Sequence, residues 1–250
     1  TAEVFHEIEG QLDNQTRATY EFSKALQAPV LEMKLRGILV DQSQRLKTIA
    51  AYEKDLNILK ANLERIFTEG IGRSFNWNSP AQMKELFYGI LNLPPIKKRN
   101  SKGQYTPTVD RNALEALDSY FIAQPICSHL LGLRDIAKKI GVLKTDIDPD
   151  GRMRTSYNIG GTNSGRLSSS LSDFGTGTNL QNIEERLRRP FVADPGYKFA
   201  YIDLEQAESR LVGAIEWNLF HDGRYLDACE SGDLHTTVCR LAWTNLGWSN

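Results

Sequence analysis

Residues 199–214, F-A-Y-I-D-L-E-Q-A-E-S-R-L-V-G-A, constrain the fold of this 250-residue chain more than any other stretch. The first four residues are aromatic or aliphatic and follow the turn sequence D-P-G, which predicts a buried strand. Ala207, Leu211 and Ala214 then recur at helical spacing, which predicts a helix with one apolar face. Asp203 is therefore expected where a strand gives way to a helix.

A carboxylate at the end of an apolar strand requires an explanation, because an unpaired buried charge is costly. One explanation is a cation bound by Asp203. The other is local, since aspartate commonly precedes a helix and accepts hydrogen bonds from its free backbone N–H groups. Taken alone, the stretch favours the local explanation, so the choice depends on motifs elsewhere in the chain.

Two such motifs precede it. Residues 164–169 read S-G-R-L-S-S, and residues 179–183 read N-L-Q-N-I. Together with D-L-E-Q-A-E-S-R at residues 203–210, they resemble the family A DNA polymerases, whose motifs are T-G-R-L-S-S, N-L-Q-N-I and D-Y-S-Q-I-E-L-R. The resemblance is specific because three motifs occur in the right order at suitable spacing. Weaker matches extend it over most of the chain.

The chain also departs from the family pattern. Glu205, Ala207 and Ser209 stand where the family usually has Ser, Ile and Leu. The segment between Ile183 and Phe191 is shorter than in the bacterial enzymes. These departures are typical of a divergent member of the family, such as one of phage type.

The resemblance implies an α+β fold of the right-hand polymerase type, with a helical thumb, part of a palm that contains an antiparallel sheet, and the start of helical fingers. Residues 1–28 would be the tail of a linker from an exonuclease-like domain that is missing from this chain. Residues 29–141 would form the thumb and the helices leading to it. Residues 142–221 would form a partial palm, and residues 222–250 the start of the fingers.

Helical periodicity is strongest at residues 42–68. The buried face predicted there comprises Leu46, Ile49, Tyr52, Leu56, Leu59 and Leu63. A coiled coil is the alternative to a scaffold helix. Shorter helical patterns cover residues 1–28, 29–36, 109–131 and 133–143. Gly37 suits a left-handed helix end, and Ser79 before a proline suits a helix start.

Residues 97–103, K-K-R-N-S-K-G, concentrate positive charge and are predicted to form an exposed, flexible tip between helices. A solvated loop is the usual explanation for such a run. The resemblance instead implies a thumb tip that grips duplex DNA. The residues expected to contact phosphate are Lys97, Lys98, Arg99 and Lys102. Such contacts would be independent of base sequence and weakened by salt.

Residues 160–177 are rich in Gly, Ser and Thr, which is the composition of a linker. Arg166 in their middle and the N-L-Q-N-I motif after them argue against a simple linker. Small residues let a backbone approach a ligand, and arginine, asparagine and glutamine suit minor-groove acceptors. Arg166 is expected to check base-pair shape at the primer end, while Gln181 and Asn182 help to hold the template–primer. Arg188 is a further DNA-binding candidate, with a solvated helix face as an equal alternative.

Residues 146–151, D-I-D-P-D-G, mark a boundary between the helical and the glycine-rich parts of the chain. Their acidic spacing resembles the start of a calcium loop. A calcium loop would also need a later glutamate, which is absent. We predict a hairpin turn.

Nucleotidyl transfer needs an activated primer 3′-hydroxyl and neutralised phosphate charge, which two Mg²⁺ ions supply, with Mn²⁺ as an alternative ion. Magnesium prefers hard oxygen ligands such as carboxylates and carbonyls. The resemblance implies that the Asp203 carboxylate bridges both ions and that the Leu204 carbonyl is a further ligand. Asp203 is thus the expected catalytic residue.

The resemblance places Glu208 against the sugar of the incoming nucleotide, where it excludes a ribose 2′-hydroxyl, so the expected substrate is a dNTP. Gln206 and His235 are further candidates for nucleotide binding. His235 belongs to a helix predicted to begin at Asp233. A lone histidine is more often a structural hydrogen-bonding residue than a ligand.

The expected function is template-directed DNA synthesis on primer–template DNA. The family's second catalytic carboxylate, in an H-D-E motif, and its triphosphate-binding fingers helix do not occur before Asn250. The chain is therefore expected to be a fragment that does not polymerise alone. Two other classes remain open, a non-catalytic nucleic-acid-binding or scaffold protein and a single-subunit RNA polymerase.

The amino-acid composition excludes few classes of protein. The net charge of −1 neither favours nor excludes nucleic acid, because a neutral total can hide local basic surfaces. No apolar run approaches the ~18 residues of a membrane span, and no signal-peptide pattern begins the chain. Three cysteines without C-x-x-C spacing favour a reducing compartment. We expect a monomer without membrane partners, in the cytoplasm of a bacterial or phage-infected cell, at the nucleoid.

Overall fold

A computed structural model of the chain describes residues 2–230 and 234–246. These residues form two compact units, with the boundary between Tyr197 and Lys198. The first unit contains a helical body with three small antiparallel sheets, and the described elements of the second unit are helices. The α+β class expected from the sequence is confirmed.

The helices of the first unit are α1 (Ala2–Glu9), α2 (Asn14–Arg36), α3 (Gln42–Arg65), α4 (Pro80–Lys84), α5 (Arg111–Leu117) and α6 (Gln124–Lys144). Helix α3 continues as a π-helical turn at Ile66–Ile71, and α4 continues as another at Glu85–Ile90. Asp41, Ser79 and Asp110 each accept a hydrogen bond from a backbone N–H at a helix start. Gly37 ends α2 with φ of 60°, as expected.

Three helix boundaries differ from the sequence prediction. The helix predicted at residues 1–28 is interrupted at residues 10–13, between α1 and α2. Helix α2 runs through Pro29 without a break, whereas separate helices were expected on either side of it. The helix predicted at residues 109–131 is interrupted by turns at residues 118–123. Helix α6 then restarts with Pro125 in its first turn, where the missing N–H of proline is not needed.

The core of the first unit lies between α3 and α6 and includes side chains from the π-helical turns and α5. Its fully buried side chains include Leu63, Phe67, Met83, Leu86, Phe87, Leu114, Leu117, Leu130 and Leu133. Leu46 was predicted to belong to the buried face of α3 but is 63% exposed. The buried face begins one turn later, at Ile49. Helix α3 thus supplies one wall of a many-sided core and not a coiled-coil seam.

The strands are β1 (Ile38–Val40), β2 (Lys97–Arg99), β3 (Tyr105–Pro107), β4 (Arg152–Met153), β5 (Ser156–Asn158), β6 (Ser168–Ser170) and β7 (Phe191–Val192). Strand β1 lies between β4 and β7 in an antiparallel sheet. Strands β2 and β3 form one hairpin, and β5 and β6 form another. The turn at residues 146–151 joins α6 to β4, so the prediction that it closes a hairpin is wrong.

The second unit contains α7 (Ala207–Phe220), α8 (Arg224–Glu230) and α9 (Leu234–Ala242). Ala228, Cys229 and Leu234 are its buried core. Gly213 lets α7 approach α8, because a Cβ there would press on the backbone of Leu226. Asp233, the predicted start of α9, lies outside the described residues.

The buried strand predicted at residues 199–202 is wrong. These residues are neither helical nor part of any sheet of the described structure. Phe199, Tyr201 and Ile202 are 62%, 83% and 85% exposed. A strand requires hydrogen bonds from a neighbouring strand, and the local sequence cannot provide that partner. Among the described residues, no helix is long and apolar enough to cross a membrane.

Candidate nucleic-acid interface and catalytic segment

The hairpin formed by β5 and β6 carries the loop at residues 159–167, which contains Arg166. The loop is folded on itself, since Thr162 Oγ1 donates to the Arg166 carbonyl at 2.7 Å. Gly165 has φ of 73° and donates its N–H to the Thr162 carbonyl at 3.3 Å. The Arg166 residue is exposed at this end of the hairpin. The glycine-rich stretch is therefore an ordered loop, and the linker interpretation is wrong.

The N-L-Q-N-I motif contacts this hairpin directly. It forms a 3₁₀ turn at Leu180–Asn182. Asn179 Oδ1 accepts hydrogen bonds from the Gln181 backbone N–H at 3.0 Å and from Ser169 Oγ at 2.5 Å. The Gln181 side-chain amide donates to the Leu167 carbonyl at 3.1 Å. Two of the motifs singled out in the sequence thus form one surface, with Asn182 exposed beside them.

Apolar contacts hold this surface on the helical body. Ile183 and Leu187 are buried, and they pack with Ile49 of α3 and Leu143 of α6. The Lys139 ammonium on α6 lies 3.2 Å from a Glu184 carboxylate oxygen. Hydrogen bonds from Lys139 to Asp135, and less strongly to Glu184, raise the pKa of Lys139. The surface is therefore packed against helices α3 and α6.

Arg188, a predicted DNA-binding residue, is exposed, but its Nε donates to the Ile183 carbonyl at 3.2 Å. This bond fixes the side chain against the N-L-Q-N-I segment. The structure gives Arg188 a local structural role and does not test its DNA contact.

The basic run at residues 97–103 was predicted to be an exposed, flexible tip between helices. It is exposed and lies between helices, but it is part of a paired hairpin and not an irregular loop. It forms one strand and the turn of the hairpin β2 and β3, with Arg99 opposite Tyr105. Asn100 Oδ1 accepts the backbone N–H groups of Lys102 and Gln104, each at 3.0 Å, which closes the turn. The run forms a hairpin because it pairs with the later strand β3, and composition alone does not reveal that pairing.

The four basic side chains of this hairpin are exposed. Lys98 Nζ lies 2.8 Å from Asp110 Oδ2, and this hydrogen bond is the main cause of a lowered pKa of Asp110. Arg99 Nε donates to the Gly103 carbonyl at 3.3 Å. Lys97 and Lys102 complete a basic surface on an ordered scaffold.

Asp203 lies in the second unit, in the irregular segment that precedes α7, and is exposed. Helix α7 begins at Ala207, and Gln206 immediately before it has φ of 53°, a left-handed conformation that is uncommon for glutamine. The Arg210 guanidinium secures this turn by donating to the Glu205 carbonyl at 3.2 Å. Local capping of α7 by the Asp203 side chain is therefore not what the structure shows.

The remaining nucleotide-binding candidates are also exposed. Glu208 lies in the first turn of α7 and His235 in the first turn of α9. Both belong to the second unit, whereas Arg166 and Gln181 belong to the first.

The residues at Asp203 fit part of a site for a divalent ion. An accessible carboxylate and the adjacent Leu204 carbonyl are hard oxygen donors of the kind that Mg²⁺ prefers. Within residues 2–230 and 234–246, no three His, Cys, Asp or Glu side chains are grouped to hold a metal ion. Substrate phosphates and water would have to complete the coordination, which is usual for Mg²⁺.

Sequence reasoning missed several residues that shape the interface. Asn179 belongs to the N-L-Q-N-I motif. Asparagine side chains often accept a hydrogen bond from the backbone N–H two residues later, so the sequence could have indicated the bond from Gln181. Asp148 and Arg154 form a buried ion pair beside the hairpin, at 2.5 Å. The acidic turn gave no local signal for that pairing.

Comparison with known proteins gives relatives of one kind. The chain is 28% identical to "DNA polymerase I, thermostable" of Thermus aquaticus over 93% of this chain and 28% of the relative. It is 30% identical to DNA polymerase I of Chloroflexus aurantiacus over 96% of this chain and 26% of the relative. The chain thus spans about a quarter of the length of these relatives.

A solved structure is similar in fold. It is the POL domain of Pol1 from M. smegmatis in complex with DNA primer-template and dNTP. The TM-score is 0.65 at 28% identity, covering 86% of this chain and 36% of that one. The family model for DNA polymerase family A matches residues 46–243, which include all three motifs. The chain therefore belongs to DNA polymerase family A.

Proposed function

We propose that this chain contributes the thumb, part of the palm and the start of the fingers to a template-directed DNA polymerase. The reaction is transfer of a nucleotide from a dNTP to a primer 3′-hydroxyl. The observation that carries the proposal is the joining of the Arg166 hairpin to the N-L-Q-N-I turn in one ordered, exposed surface. Family membership and the primer-template and dNTP bound by the M. smegmatis relative support it.

The Arg166 surface contacts the minor groove near the primer end. The guanidinium of Arg166 donates to acceptors that every base pair presents, so it responds to pair shape and not to sequence. Asn182 and the turn around Gln181 hold the template–primer from the adjacent position. Arg188 adds a contact to a phosphate.

The β2–β3 hairpin contacts the DNA backbone through Lys97, Lys98, Arg99 and Lys102. Its closed turn keeps the four basic side chains on one ordered hairpin, so little backbone conformational entropy is lost when DNA binds. These contacts contribute affinity without sequence preference and weaken as salt rises.

Two Mg²⁺ ions, or Mn²⁺ in their place, supply activation of the 3′-hydroxyl and neutralisation of phosphate charge when bound. The Asp203 carboxylate and the Leu204 carbonyl hold them. Glu208 lies against the sugar and excludes a 2′-hydroxyl, while Gln206 and His235 bind the nucleotide. These roles rest on the motif at residues 203–210, on the exposure of Asp203 and on the helical setting of Glu208 and His235.

The same proposal places a monomer in the cytoplasm, at the nucleoid of a bacterial or phage-infected cell. The cysteines described are free thiols, which suits a reducing compartment.

The test has two measurements. The 250-residue chain is titrated with fluorescently labelled primer–template at several salt concentrations, and salt-dependent binding is expected. The longest natural chain that contains this sequence is then assayed for primer extension with dNTPs and with rNTPs. Extension with dNTPs supports the proposal. Binding without any extension would favour a scaffold protein, and preferential use of rNTPs would favour an RNA polymerase.

A further inference from the structure

We propose that Arg154 is a positioning residue for DNA binding, which fixes the Arg166 hairpin to the helical body through its ion pair with Asp148. The inference rests on the proposed function, because it concerns how the proposed DNA-contacting loop is held. Arg154 itself contacts other protein groups and is not proposed to contact DNA.

The guanidinium of Arg154 joins three segments of the chain. Its Nη1 lies 2.5 Å from Asp148 Oδ2, and its Nη2 lies 2.6 Å from Asp150 Oδ2. Its Nε donates to the Leu35 carbonyl at 2.7 Å, which satisfies an end of α2 that has no partner within the helix. A planar fork of donors can make these bonds together, whereas a lysine ammonium cannot match their geometry.

The pair is shielded from water, with the Arg154 and Asp148 side chains only 13% and 10% exposed. Breaking such a pair leaves an uncompensated charge, so the arrangement has one strongly preferred geometry. Asp150 is more exposed, at 48%, and contributes a weaker contact.

Asp148 continues the connection into the glycine-rich segment. Its second oxygen, Oδ1, accepts a hydrogen bond from Thr176 Oγ1 at 2.6 Å. The next residue, Gly177, donates its N–H to the Asp146 carbonyl at 2.7 Å and has φ of 71°. A Cβ on Gly177 would overlap the Arg154 carbonyl. The segment before N-L-Q-N-I therefore lies directly on the backbone of Arg154.

The residue after Arg154 makes the link to the hairpin. Thr155 is 3% exposed, and its Oγ1 donates to the Ser170 carbonyl at 2.7 Å. Ser170 ends β6, and the other end of β6 leads through Leu167 to Arg166. The contacts of Arg154 and Thr155 therefore hold both strands at the base of the hairpin. The far end of that hairpin carries Arg166.

A purely structural role is the alternative, in which Arg154 stabilises the fold and affects DNA binding only through the folded fraction. The two roles differ in how Arg154 and Arg166 combine. If Arg154 acts by placing Arg166, the loss of Arg166 has less effect once Arg154 is gone. If the role is only structural, the fold-losses of DNA affinity caused by the two substitutions multiply in the double variant.

The test compares the 250-residue chain with Arg154→Met, Arg166→Ala and the double variant, using the affinity for fluorescently labelled primer–template. Arg154→Met is expected to weaken binding about 3- to 30-fold. Arg166→Ala in that background is expected to weaken it much less than in the unaltered chain. The salt dependence of binding should not change, because no phosphate contact is removed.

Two further variants provide an independent test and a matched control. Thr176→Val removes only the hydroxyl that donates to Asp148, and the affinity for primer–template is expected to fall about two- to fivefold. This test can be made even if Arg154→Met does not fold. Arg152→Met is the matched control, because Arg152 pairs with Asp194 and the Arg36 carbonyl and not with the hairpin. Hydrogen exchange of residues 159–167 should accelerate in Thr176→Val and not in Arg152→Met.

The outcomes separate this inference from the function on which it rests. If the unaltered chain does not bind primer–template, or if Arg166→Ala has no effect, the proposed function of the hairpin is wrong. If Arg166→Ala weakens binding but combines multiplicatively with Arg154→Met, the positioning role is wrong. An unchanged affinity and unchanged exchange in Thr176→Val would also overturn it.

Discussion

The hairpin around Arg166 and the segment around Asp203 both carry motifs of DNA polymerase family A, but they differ in how neighbouring residues hold them. The hairpin is fixed by Asn179, Gln181 and Thr155 through hydrogen bonds of 2.5–3.1 Å. The Asp203 segment exposes Ile202 and Leu204 at 85% and 75%. The motif proposed to contact DNA therefore also builds local structure, whereas the motif proposed for catalysis leaves its apolar side chains exposed.

This difference has a physical basis. A residue that responds to the shape of a base pair must be held in a defined position before DNA arrives, since ordering it afterwards costs affinity. A metal-binding carboxylate must remain accessible to ions, water and phosphates, so it cannot be enclosed by its own chain. The side chains beside it therefore add little to the stability of the described structure.

The largest expected effect tests the catalytic half of this comparison. Asp203→Asn removes the proposed anionic metal ligand while keeping the size of the side chain. Primer extension by the longest natural chain should fall by about 10³-fold or more. Glu205→Gln is the matched control, since Glu205 is a nearby exposed carboxylate, and its activity should stay within about threefold. Comparable activities of the two variants would remove Asp203 from the mechanism.

A stability measurement contrasts the two regions directly. Phe87 is fully buried, so Phe87→Ala should lower the free energy of unfolding by about 3–5 kcal/mol. Ile202→Ala should change it by less than about 0.5 kcal/mol, because that side chain is 85% exposed. Urea unfolding followed by circular dichroism measures both. A large loss in Ile202→Ala would show that the Asp203 segment is packed in solution.

Glu208 permits a sharper test of the nucleotide site. Glu208→Ala should raise incorporation of ribonucleotides relative to deoxynucleotides by at least about tenfold, because room for a 2′-hydroxyl is created. Parallel extension assays with dNTPs and rNTPs measure the ratio, with Glu216→Ala on the same helix as the control. An unchanged ratio would argue against contact between Glu208 and the sugar.

The smallest effect concerns the support of the basic hairpin. Asp110 caps α5 and accepts a hydrogen bond from Lys98, which holds the pKa of Asp110 below its ordinary value of 3.8. Asp110→Ala should cost about 1 kcal/mol of unfolding free energy at neutral pH. A lowered pKa means that this stabilisation is present above about pH 4 and is lost as the pH falls through the folded-state pKa.

The difference between Asp110→Ala and the unaltered chain should therefore shrink below about pH 4. Thermal unfolding from neutral to acidic pH measures it. Asp55→Ala, at an exposed site on α3, provides the control. A difference that stays constant with pH would show that the ion pair with Lys98 contributes nothing.

Several features could be read from the sequence because their causes are local. Ser79 followed by Pro80 predicted the start of α4, and Gly37 predicted the left-handed end of α2. The period of apolar residues predicted α3, although Leu46 was wrongly placed in its buried face. The order of the three motifs identified the family, which the matched residues confirm. The assigned domain boundaries and residue roles stay predictions.

Other features depended on partners distant in the chain. Hydrogen-bonded pairing made the basic run at residues 97–103 part of a hairpin. Residues 199–202 have no such partner among the described residues and belong to no sheet. The bond from Arg154 to the Leu35 carbonyl joins residues 119 positions apart. The sequence alone determined the helix signals and the chemistry of the motifs, because caps and side-chain types act within a few residues. Only the tertiary structure decided which strands pair and which charges meet, because those energies arise between segments that folding brings together.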